Sequence, residues 1–235
     1  MSGEAQRASQ NPKGRLFVVA TPIGNLSDMT LRAVDTLREV DFIAAEDTRT
    51  SSVLLKHYGI SRPMVSFHSY SGPNRTQELV DRLAGGETAA LITDAGTPGI
   101  SDPGYTLVRD AVAAGIDVVP IPGATAFVAA LSSSGLRTDR FVFEGFLPQK
   151  KGRQKKLQQL SEERRTIVLY ESPHRIEKTL LELMKHFGGR KCVVAREVTK
   201  LHESFYRGTF QEVLEMIGHA ERRGEFVIIV EGSEQ

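Results

Sequence analysis

The amino-acid sequence predicts two α/β domains, with a mostly parallel sheet in the N-terminal domain and a mixed sheet in the C-terminal domain. Up to about residue 134, short apolar runs alternate with longer amphipathic stretches, which is the spacing of βαβ units. After Gly135 the alternation becomes irregular, and the apolar runs 203–210 and 226–232 lack a full-length crossover helix between them. A chain of 235 residues is long enough for two domains of ordinary size.

The N-terminal half is predicted to alternate strands and helices throughout. We expect strands at 16–20, 42–46, 64–67, 89–93 and 116–121, and helices at 29–40, 51–58, 74–84, 105–114 and 124–134. Ser27 or Asp28 is expected to cap the first helix, because short polar side chains satisfy its free N–H groups. Pro73 and Asn74 are expected to open the third helix.

The C-terminal half carries the irregular pattern of a mixed sheet. We expect strands at 141–146, 166–171, 191–196, 203–210 and 226–232, and helices at 150–160, 173–186 and 211–218. Placing the boundary near Gly135 gives domains 14–135 and 136–235. The polar residues 1–13 are interpreted as a disordered tail.

Composition excludes several classes of protein. The formal net charge is only +1, so any contact with nucleic acid must come from a local patch. The single cysteine, Cys192, excludes an internal disulfide and fits a reducing cytosol. The polar start predicts no secretory leader, and no apolar run approaches the roughly 18 residues of a membrane span. We therefore predict a cytoplasmic protein without a membrane partner.

Several common catalytic motifs are absent from the sequence. There is no G-x-G-x-x-G, no G-x-x-x-x-G-K-[ST] and no G-x-S-x-G. The six histidines show no paired spacing typical of zinc ligands. We predict no metal site, and a metal-dependent or triad hydrolase is disfavoured.

An unusual loop, 94–104 (DAGTPGISDPG), directly follows the predicted strand 89–93. Its glycines allow a ligand to approach the backbone closely, and its prolines fix the loop in advance. Asp94 falls at the carboxyl end of the strand, where α/β sheets bind ligands, and an acidic loop suits a ribose hydroxyl or a cationic ligand. The alternative is a purely structural Ω-loop.

Two further strand ends carry candidate groups. In 44–52 (AAEDTRTSS), Glu46 and Asp47 are adjacent carboxylates that suit acid–base chemistry, although Asp47 and Arg49 equally suit a salt-bridged helix start. In 120–136 (PIPGATAFVAALSSSGL), small residues leave room for a ligand, or simply allow tight helix packing. Both interpretations stay open for each segment.

Two segments of the second half carry basic groups. In 170–179 (YESPHRIEKT), Ser172 as N-cap and Pro173 as first helical residue would leave His174 and Arg175 available to a substrate. In 150–156 (KKGRQKK), five of seven residues are cationic, which suits an RNA backbone but also an ordinary solvated surface.

Seven motifs in this order resemble those of the tetrapyrrole methylase superfamily, and within it the branch that methylates ribosomal RNA. They are TPIGNL 21–26, AAEDTR 44–49, DAGTPGISDPG 94–104, PGATA 122–126, YESPHR 170–175, AREVTK 195–200 and GEFVIIVEG 224–232. The resemblance covers about residues 14–232. It implies two α/β domains, S-adenosylmethionine in the interdomain cleft and a homodimer. Many members continue into a helical extension, whereas this sequence ends at Gln235. We expect either weaker RNA binding, if that extension contributes, or that this sequence is a truncated form of a longer protein.

The resemblance also implies a reaction and its residues. The reaction is 2′-O-methylation of a cytidine ribose in the decoding region of small-subunit (16S) rRNA, on naked RNA or the assembled subunit. The matching cofactor positions are Pro22, Asp94, Gly96, Thr97, Ile100, Thr125, Ala126, Tyr170, Thr199, Glu225 and Phe226. Candidates to accept the proton of the hydroxyl are Glu46, Asp47 and His174, which the sequence does not rank. Candidates to contact RNA are Arg49, Lys150, Lys151, Arg153, Arg175 and Lys200.

Two other functions are compatible with some of the same sequence features. A methyltransferase acting on a tetrapyrrole or corrin precursor would use the same scaffold. That branch, however, has a G-D-P motif in the loop where this sequence has AGTP at 95–98. A non-catalytic RNA-binding module would bind RNA without the cofactor, which leaves the elaborate strand-end loops unexplained.

Overall fold

The computed structural model describes residues 14–102, 104–218 and 224–233. The chain divides into two compact units. The first comprises the residues up to Pro22 together with Leu26–Ala124, and the second comprises Ile23–Asn25 together with the chain from Thr125 onward.

The first unit is built on a five-stranded sheet in which every pairing is parallel. Its strands are β1 (Arg15–Val19), β2 (Phe42–Ala45), β3 (Met64–Ser66), β4 (Ala89–Ile92) and β5 (Asp117–Ile121), in the order β3-β2-β4-β1-β5. Because all five strands run in one direction, the residues that follow them lie along a single edge of the sheet.

Helices cover both faces of this sheet. They are α1 (Leu31–Glu39), α2 (Thr48–His57), α3 (Pro73–Ala84) and α4 (Tyr105–Ala113). Alternate residues of β2 show the division: Ile43 belongs to the core on the α1 and α2 side, and Phe42 to the core on the α3 and α4 side. Burial on both faces explains why these strands read as continuous apolar runs.

The second unit contains a mixed five-stranded sheet. Its strands are β6 (Phe141–Phe146), β7 (Thr166–Glu171), β8 (Lys191–Arg196), β9 (Ser204–Thr209) and β10 (Phe226–Val230), in the order β6-β7-β10-β8-β9. Strands β6 and β7 pair in parallel, and all other neighbours are antiparallel.

One face of the second sheet carries three helices and the other carries one. Helices α6 (Arg153–Ser161), α7 (Ile176–Phe187) and α8 (Phe210–Gly218) share an apolar core with residues such as Leu169 and Ile228. Helix α5 (Ala126–Ser132) packs on β7 and β10. The guanidinium of Arg207 on β9 also donates to the Ser133 carbonyl just after α5, at 2.8 Å.

These observations confirm the predicted fold class, and each predicted strand and helix is present with small shifts at its ends. The first predicted cap was wrong: Ser27 and Asp28 lie in a short 3-10 helix, and the Thr30 hydroxyl caps α1 by accepting from the Ala33 N–H at 3.1 Å. Proline at the start of α3 is confirmed.

Two boundaries differ from the sequence prediction. The division between the units falls at Thr125 and not near Gly135, because α5 packs on the second sheet. Helix α7 begins at Ile176 and not after Ser172, whose carbonyl accepts from the Arg175 and Ile176 N–H groups in a preceding turn. The predicted tail, residues 1–13, lies outside the described residues.

Candidate active site

Three carboxylates meet where β2 and β4 end. The Asp47 main-chain N–H donates to Asp94 Oδ1 at 3.2 Å, and the Asp94 N–H donates to Glu46 Oε2 at 3.5 Å. Neighbouring parallel strands bring these groups together across 47 residues of sequence. The cluster therefore lies on the edge where ligands of α/β sheets bind.

The three carboxylates differ in their protonation behaviour. Hydrogen bonds from the Arg49 side chain and main chain lower the pKa of Asp47 to about 2, and Asp47 also caps α2 by accepting from the Arg49 N–H at 2.8 Å. Burial raises the pKa of Glu46 and of Asp94 above their ordinary values, and the mutual repulsion of neighbouring carboxylates acts in the same direction. Asp47 is therefore held as an anion within the protein, whereas Glu46 and Asp94 keep their protons to higher pH than ordinary carboxyls do.

The loop after β4 is tied to the end of β1. Thr21 and Gly96 exchange two main-chain hydrogen bonds of 2.9 and 3.1 Å, and the Thr97 hydroxyl donates to the Ala124 carbonyl at 3.2 Å. Gly99 has φ +84°, and a side chain there would meet no atom within 4 Å. Gly99 is thus required by backbone conformation and leaves open space beside the loop.

A buried hydroxyl at the start of this loop suits a polar ligand. Thr93, which precedes Asp94, is 2% exposed, and its hydroxyl has no hydrogen-bond partner among the described residues. Half-exposed or exposed polar groups lie next to it along the loop. A buried hydroxyl without a partner costs free energy unless a water, an ion or a ligand completes it.

A strained turn follows β8 in the second unit. Glu197 and Thr199 have φ of +51° and +70°, which is rare for residues other than glycine and especially for a β-branched side chain. The Thr199 hydroxyl is buried and has no partner in the described part of the chain. Backbone strain of this kind clusters at functional sites, and the predicted role of Thr199 in cofactor binding stays a prediction.

Lys200 is held in place within this turn. Its ammonium contacts Glu197 at 2.9 Å and Glu225 at 3.3 Å, and a side chain at Gly24 would come within 2.3 Å of its Cγ. Hydrogen bonds and the charges of both glutamates raise the pKa of Lys200 despite the opposing effect of burial. Lys200, expected to contact RNA, is thus a paired cation against the segment Ile23–Asn25.

The other predicted cofactor positions are distributed as follows. Thr125 is the N-cap residue of α5, without a side-chain cap bond, and Ala126 begins the helix. The Tyr170 hydroxyl accepts from the Phe127 N–H at 3.2 Å, which joins β7 to the start of α5. The Phe226 side chain is part of the core, so only its backbone can face a ligand. Pro22 is buried and Ile100 is exposed.

Two predicted RNA contacts are used inside the protein. Arg153 is 5% exposed, and its guanidinium donates to Glu182, Thr179 and the Pro148 carbonyl. Arg175 pairs at 2.8 Å with the buried Glu171. The guanidinium of Arg153 is therefore committed to groups inside the protein and is unsuited to contact a phosphate.

The remaining predicted groups are at the surface. Lys150 and Lys151 are exposed, and the described residues offer them no ion pair, whereas Arg49 is exposed but paired with Asp47. His174 is exposed beside Glu177 and Lys178 in a shallow surface pocket on α7.

Three residues were missed from the sequence. His68 follows β3, and its charge acts on Glu46 to lower the pKa of that carboxyl, against the effect of burial. Thr93 contributes an unpaired hydroxyl, and Glu197 anchors Lys200. The position of His68 after a strand was visible in the sequence, but the orphaned hydroxyl and the strained turn require coordinates.

No group of three or more histidine, cysteine, aspartate or glutamate side chains in the described ranges is arranged to hold a metal ion. None of the helices described is both long and apolar enough to cross a membrane.

The first unit is a doubly wound parallel sheet with carboxylates and a glycine-bearing loop at its strand ends, where sheets of this class bind ligands, and a mixed α/β unit follows it. The family model of tetrapyrrole (corrin/porphyrin) methylases matches residues 15–214, and the chain belongs to this family. The chain is therefore a methyltransferase.

The names of curated relatives describe a more specific activity than the family description does. Proteins named ribosomal RNA small subunit methyltransferase I are 54% identical in Synechocystis sp. and 45% identical in Thermotoga maritima. Each match covers 94% of this chain, and 80% and 100% of the respective relative.

Solved structures support the fold alone. Diphthine synthase aligns with TM-score 0.70 at 12% identity over 93% of this chain and 90% of its own. Uroporphyrin-III C-methyltransferase from Thermus thermophilus, complexed with S-adenosylhomocysteine, aligns with TM-score 0.65 at 19% identity over 93% and 97%.

Proposed function

We propose that this chain is an rRNA methyltransferase that transfers a methyl group from S-adenosylmethionine to the ribose 2′-hydroxyl of a cytidine in the decoding region of small-subunit rRNA. The relatives with 45% and 54% identity support small-subunit rRNA as substrate. The observation that carries the chemistry is the Glu46–Asp47–Asp94 cluster, which combines an exposed carboxylate, Asp94, with Glu46, a carboxylate of raised pKa. The homodimer implied by the family resemblance remains a prediction.

The residue types at these positions suit the cofactor. A carboxylate such as Asp94 suits the hydroxyls of a ribose, and the open backbone at Gly99 suits close contact with an adenosine. The unpaired hydroxyls of Thr93 and Thr199 offer further donors or acceptors. When bound, S-adenosylmethionine supplies a methyl group already activated by its sulfonium.

Glu46 is the best proton acceptor among the three predicted candidates. A general base becomes more effective as its pKa approaches the working pH, and burial raises the pKa of Glu46. Asp47 is a poor base because its pKa is about 2. His174 is exposed in the turn before α7 of the second unit and is not part of the carboxylate cluster. In this scheme the 2′-oxygen gains the methyl group and Glu46 takes the proton, while positioning supplies much of the rate.

The rival substrate, a tetrapyrrole or corrin precursor, is supported only by the family's name and by neighbours whose low identity indicates fold and not substrate. A direct test offers the protein three acceptors with labelled S-adenosylmethionine: unmodified small ribosomal subunits, their extracted rRNA and uroporphyrinogen III. We expect label in RNA and none in the tetrapyrrole. Transfer to the tetrapyrrole alone would overturn the proposal, and Glu46→Gln should abolish most transfer while cofactor binding persists.

A further inference from the structure

A row of aromatic side chains lies on one face of the second sheet. Phe127 stacks on Phe143 with ring centroids 4.3 Å apart, and Tyr170 contacts Phe143 at 5.1 Å and Phe146 at 5.7 Å. We call Phe127, Phe143, Tyr170 and Phe146 the aromatic row. The first three rings are half-buried, but Phe146, at the end of β6, is 52% exposed.

A β-bulge places Phe146 in this row. Phe143 pairs with Val168 and Phe146 pairs with Tyr170, so β6 has one residue more than β7 between these pairs. In a regular strand, residues three apart point to opposite faces, and Phe146 would face away from Tyr170. The register shift at Glu144 and Gly145, where Gly145 has φ +62°, turns Phe146 to the same face as Phe143.

The bulge is pinned by an ion pair. The Glu144 carboxylate contacts the Lys156 ammonium at 2.8 Å, and both side chains are partly buried. Two contacts therefore fix the position of Phe146: its ring packs against Tyr170, and Lys156 holds Glu144 at the bulge. A single exposed apolar residue is ordinary on a protein surface, so exposure alone does not mark a site. Phe146 differs in that its neighbours fix its ring in position, as a preorganised binding residue requires.

Unpaired cations follow the aromatic row directly. Lys150 lies four residues after Phe146, at most about 14 Å away along the chain. The connection is fixed, because Leu147 is buried and Arg153 donates to the Pro148 carbonyl at 3.1 Å. Lys150, Lys151 and Lys155 are exposed and make no ion pair with the described residues. An exposed ring beside free lysines complements a base and its neighbouring phosphates.

We propose that Phe146 is a stacking residue for an unpaired base of the RNA substrate, and that Lys150 and Lys151 contact the adjacent phosphates. This inference rests on the proposed function, since it assumes an RNA substrate. Single-stranded RNA offers splayed bases to aromatic rings, whereas duplex RNA keeps its bases stacked internally. The site therefore favours a single-stranded segment of the RNA substrate.

The chain contains no tryptophan, so Phe146→Trp introduces one fluorescent reporter and keeps an aromatic side chain. Phe141→Trp is the matched control: Phe141 is 41% exposed and its ring lies 6.0 Å from Phe127, but it is at the opposite end of β6 from Phe146 and the lysines that follow it. Titration with a short single-stranded RNA of mixed sequence should strongly quench the fluorescence of the Phe146→Trp variant and barely change that of the Phe141→Trp variant. Equal quenching of the two variants, or none in either, would overturn the proposal.

Affinity measurements test the same point independently. Phe146→Ala should weaken binding of the single-stranded RNA by roughly 5-fold to 100-fold, while Phe141→Ala binds as the parent protein does. The double variant Lys150→Ala/Lys151→Ala should reduce the slope of log K against log salt by about 1.4, since each single-strand phosphate contact contributes about 0.7. An unchanged affinity for Phe146→Ala, together with an unchanged salt slope, would contradict the inference.

Two controls distinguish the stacking role of Phe146 from the proposed methylation of rRNA, and from the alternative that a second copy of the chain covers the Phe146 ring. Light scattering reports the oligomeric state without RNA: dissociation of an oligomer by Phe146→Ala would show that a second copy covers the ring, and would overturn the proposal. Methyl transfer by the parent protein is measured in parallel. If the parent protein methylates rRNA but RNA does not quench the Phe146→Trp variant, only the stacking role is refuted. If RNA quenches that variant but no methyl group is transferred to rRNA, only the proposed function is refuted.

Discussion

The main-chain N–H of Asp47 donates a hydrogen bond to the carboxylate of Asp94 at 3.2 Å, across two neighbouring parallel strands. This bond ties the helix cap after β2 to the glycine-bearing loop after β4. It also holds one carboxylate oxygen of Asp94 in a fixed place while the side chain as a whole remains exposed. Asp94 is thus both an internal acceptor and a group available to a ligand.

Replacing Asp94 separates these two roles. Asp94→Asn keeps an oxygen acceptor for the Asp47 N–H but removes the charge, whereas Asp94→Ala removes both. We expect both variants to lose cofactor affinity by roughly tenfold or more, since a charge-assisted hydrogen bond contributes about 1.5–3 kcal/mol. Only Asp94→Ala should also lose about 1 kcal/mol of stability. Calorimetric titration with S-adenosylmethionine and denaturant unfolding measure the two effects, and normal cofactor binding by Asp94→Ala would contradict them.

The rate of methyl transfer should depend on pH through Glu46. Burial raises the pKa of Glu46, so activity should rise with pH as this carboxyl loses its proton and then level off. Glu46→Gln should lower kcat by about 10²–10⁴-fold and remove this limb of the profile, with little change in cofactor affinity. His174→Ala is the control and should leave the limb in place. A Glu46→Gln profile that keeps the limb would assign the proton to another group.

The stability of the apo protein should show two opposite pH effects. The pKa of Asp47 is lowered to about 2 in the folded state, so its contribution is present above the ordinary value of 3.8 and is lost as the pH falls toward 2. The pKa of Glu46 is raised by burial, so its contribution decreases as the pH rises through and above 4.5. Comparing unfolding curves of Asp47→Asn and Glu46→Gln with the parent protein across this range tests both signs.

Arg153 should contribute to stability and not to phosphate binding. Its guanidinium is buried among Glu182, Thr179 and the Pro148 carbonyl, so Arg153→Ala leaves these groups without their donor. We expect a loss of about 3 kcal/mol, at the low end for a broken buried pair because the Glu182 side chain is 21% exposed. Lys150→Ala on the exposed surface should change stability by less than about 0.5 kcal/mol. Equal effects of the two substitutions on chemical denaturation would refute the assignment.

We expect Thr199 to lower the stability of the apo protein while it contributes to cofactor binding. Thr199→Gly relieves the strain of φ +70° and removes the unpaired hydroxyl, so the apo protein should become about 1 kcal/mol more stable while cofactor affinity falls. Thr199→Ala removes the same hydroxyl but keeps a side chain at positive φ, so it should lose affinity without the full gain in stability. A Thr199→Gly variant with unchanged affinity would mean that the turn serves only the fold.

The fold was largely predictable because its strands are buried and its helices amphipathic. The runs that became β2 and β4 are apolar throughout, as strands covered on both faces must be. Helix starts were less predictable: Thr30 and not Ser27 or Asp28 caps α1, because a short 3-10 helix intervenes. The sequence pattern does not distinguish such a turn from the first turn of the helix.

The candidate site was predictable in part, through motifs at strand ends. Glu46, Asp47 and Asp94 follow apolar runs, and the parallel sheet brings them together. Composition did not predict which cations of the run 150–156 face solvent. Arg153 is buried, whereas Lys150 and Lys151 are exposed. The bulge that turns Phe146 outward and the strain at Thr199 have no sequence pattern, because both arise from register and backbone conformation.

The most direct test of the account is to map the methylated atom. Unmodified small subunits are incubated with the protein and labelled S-adenosylmethionine, and their rRNA is then hydrolysed with alkali, which spares the bond next to a 2′-O-methyl ribose because the attacking hydroxyl is blocked. We predict that the label remains in one alkali-resistant dinucleotide with cytidine at its 5′ side. Label released in a single base-methylated nucleotide, or label absent from the rRNA, would contradict the account.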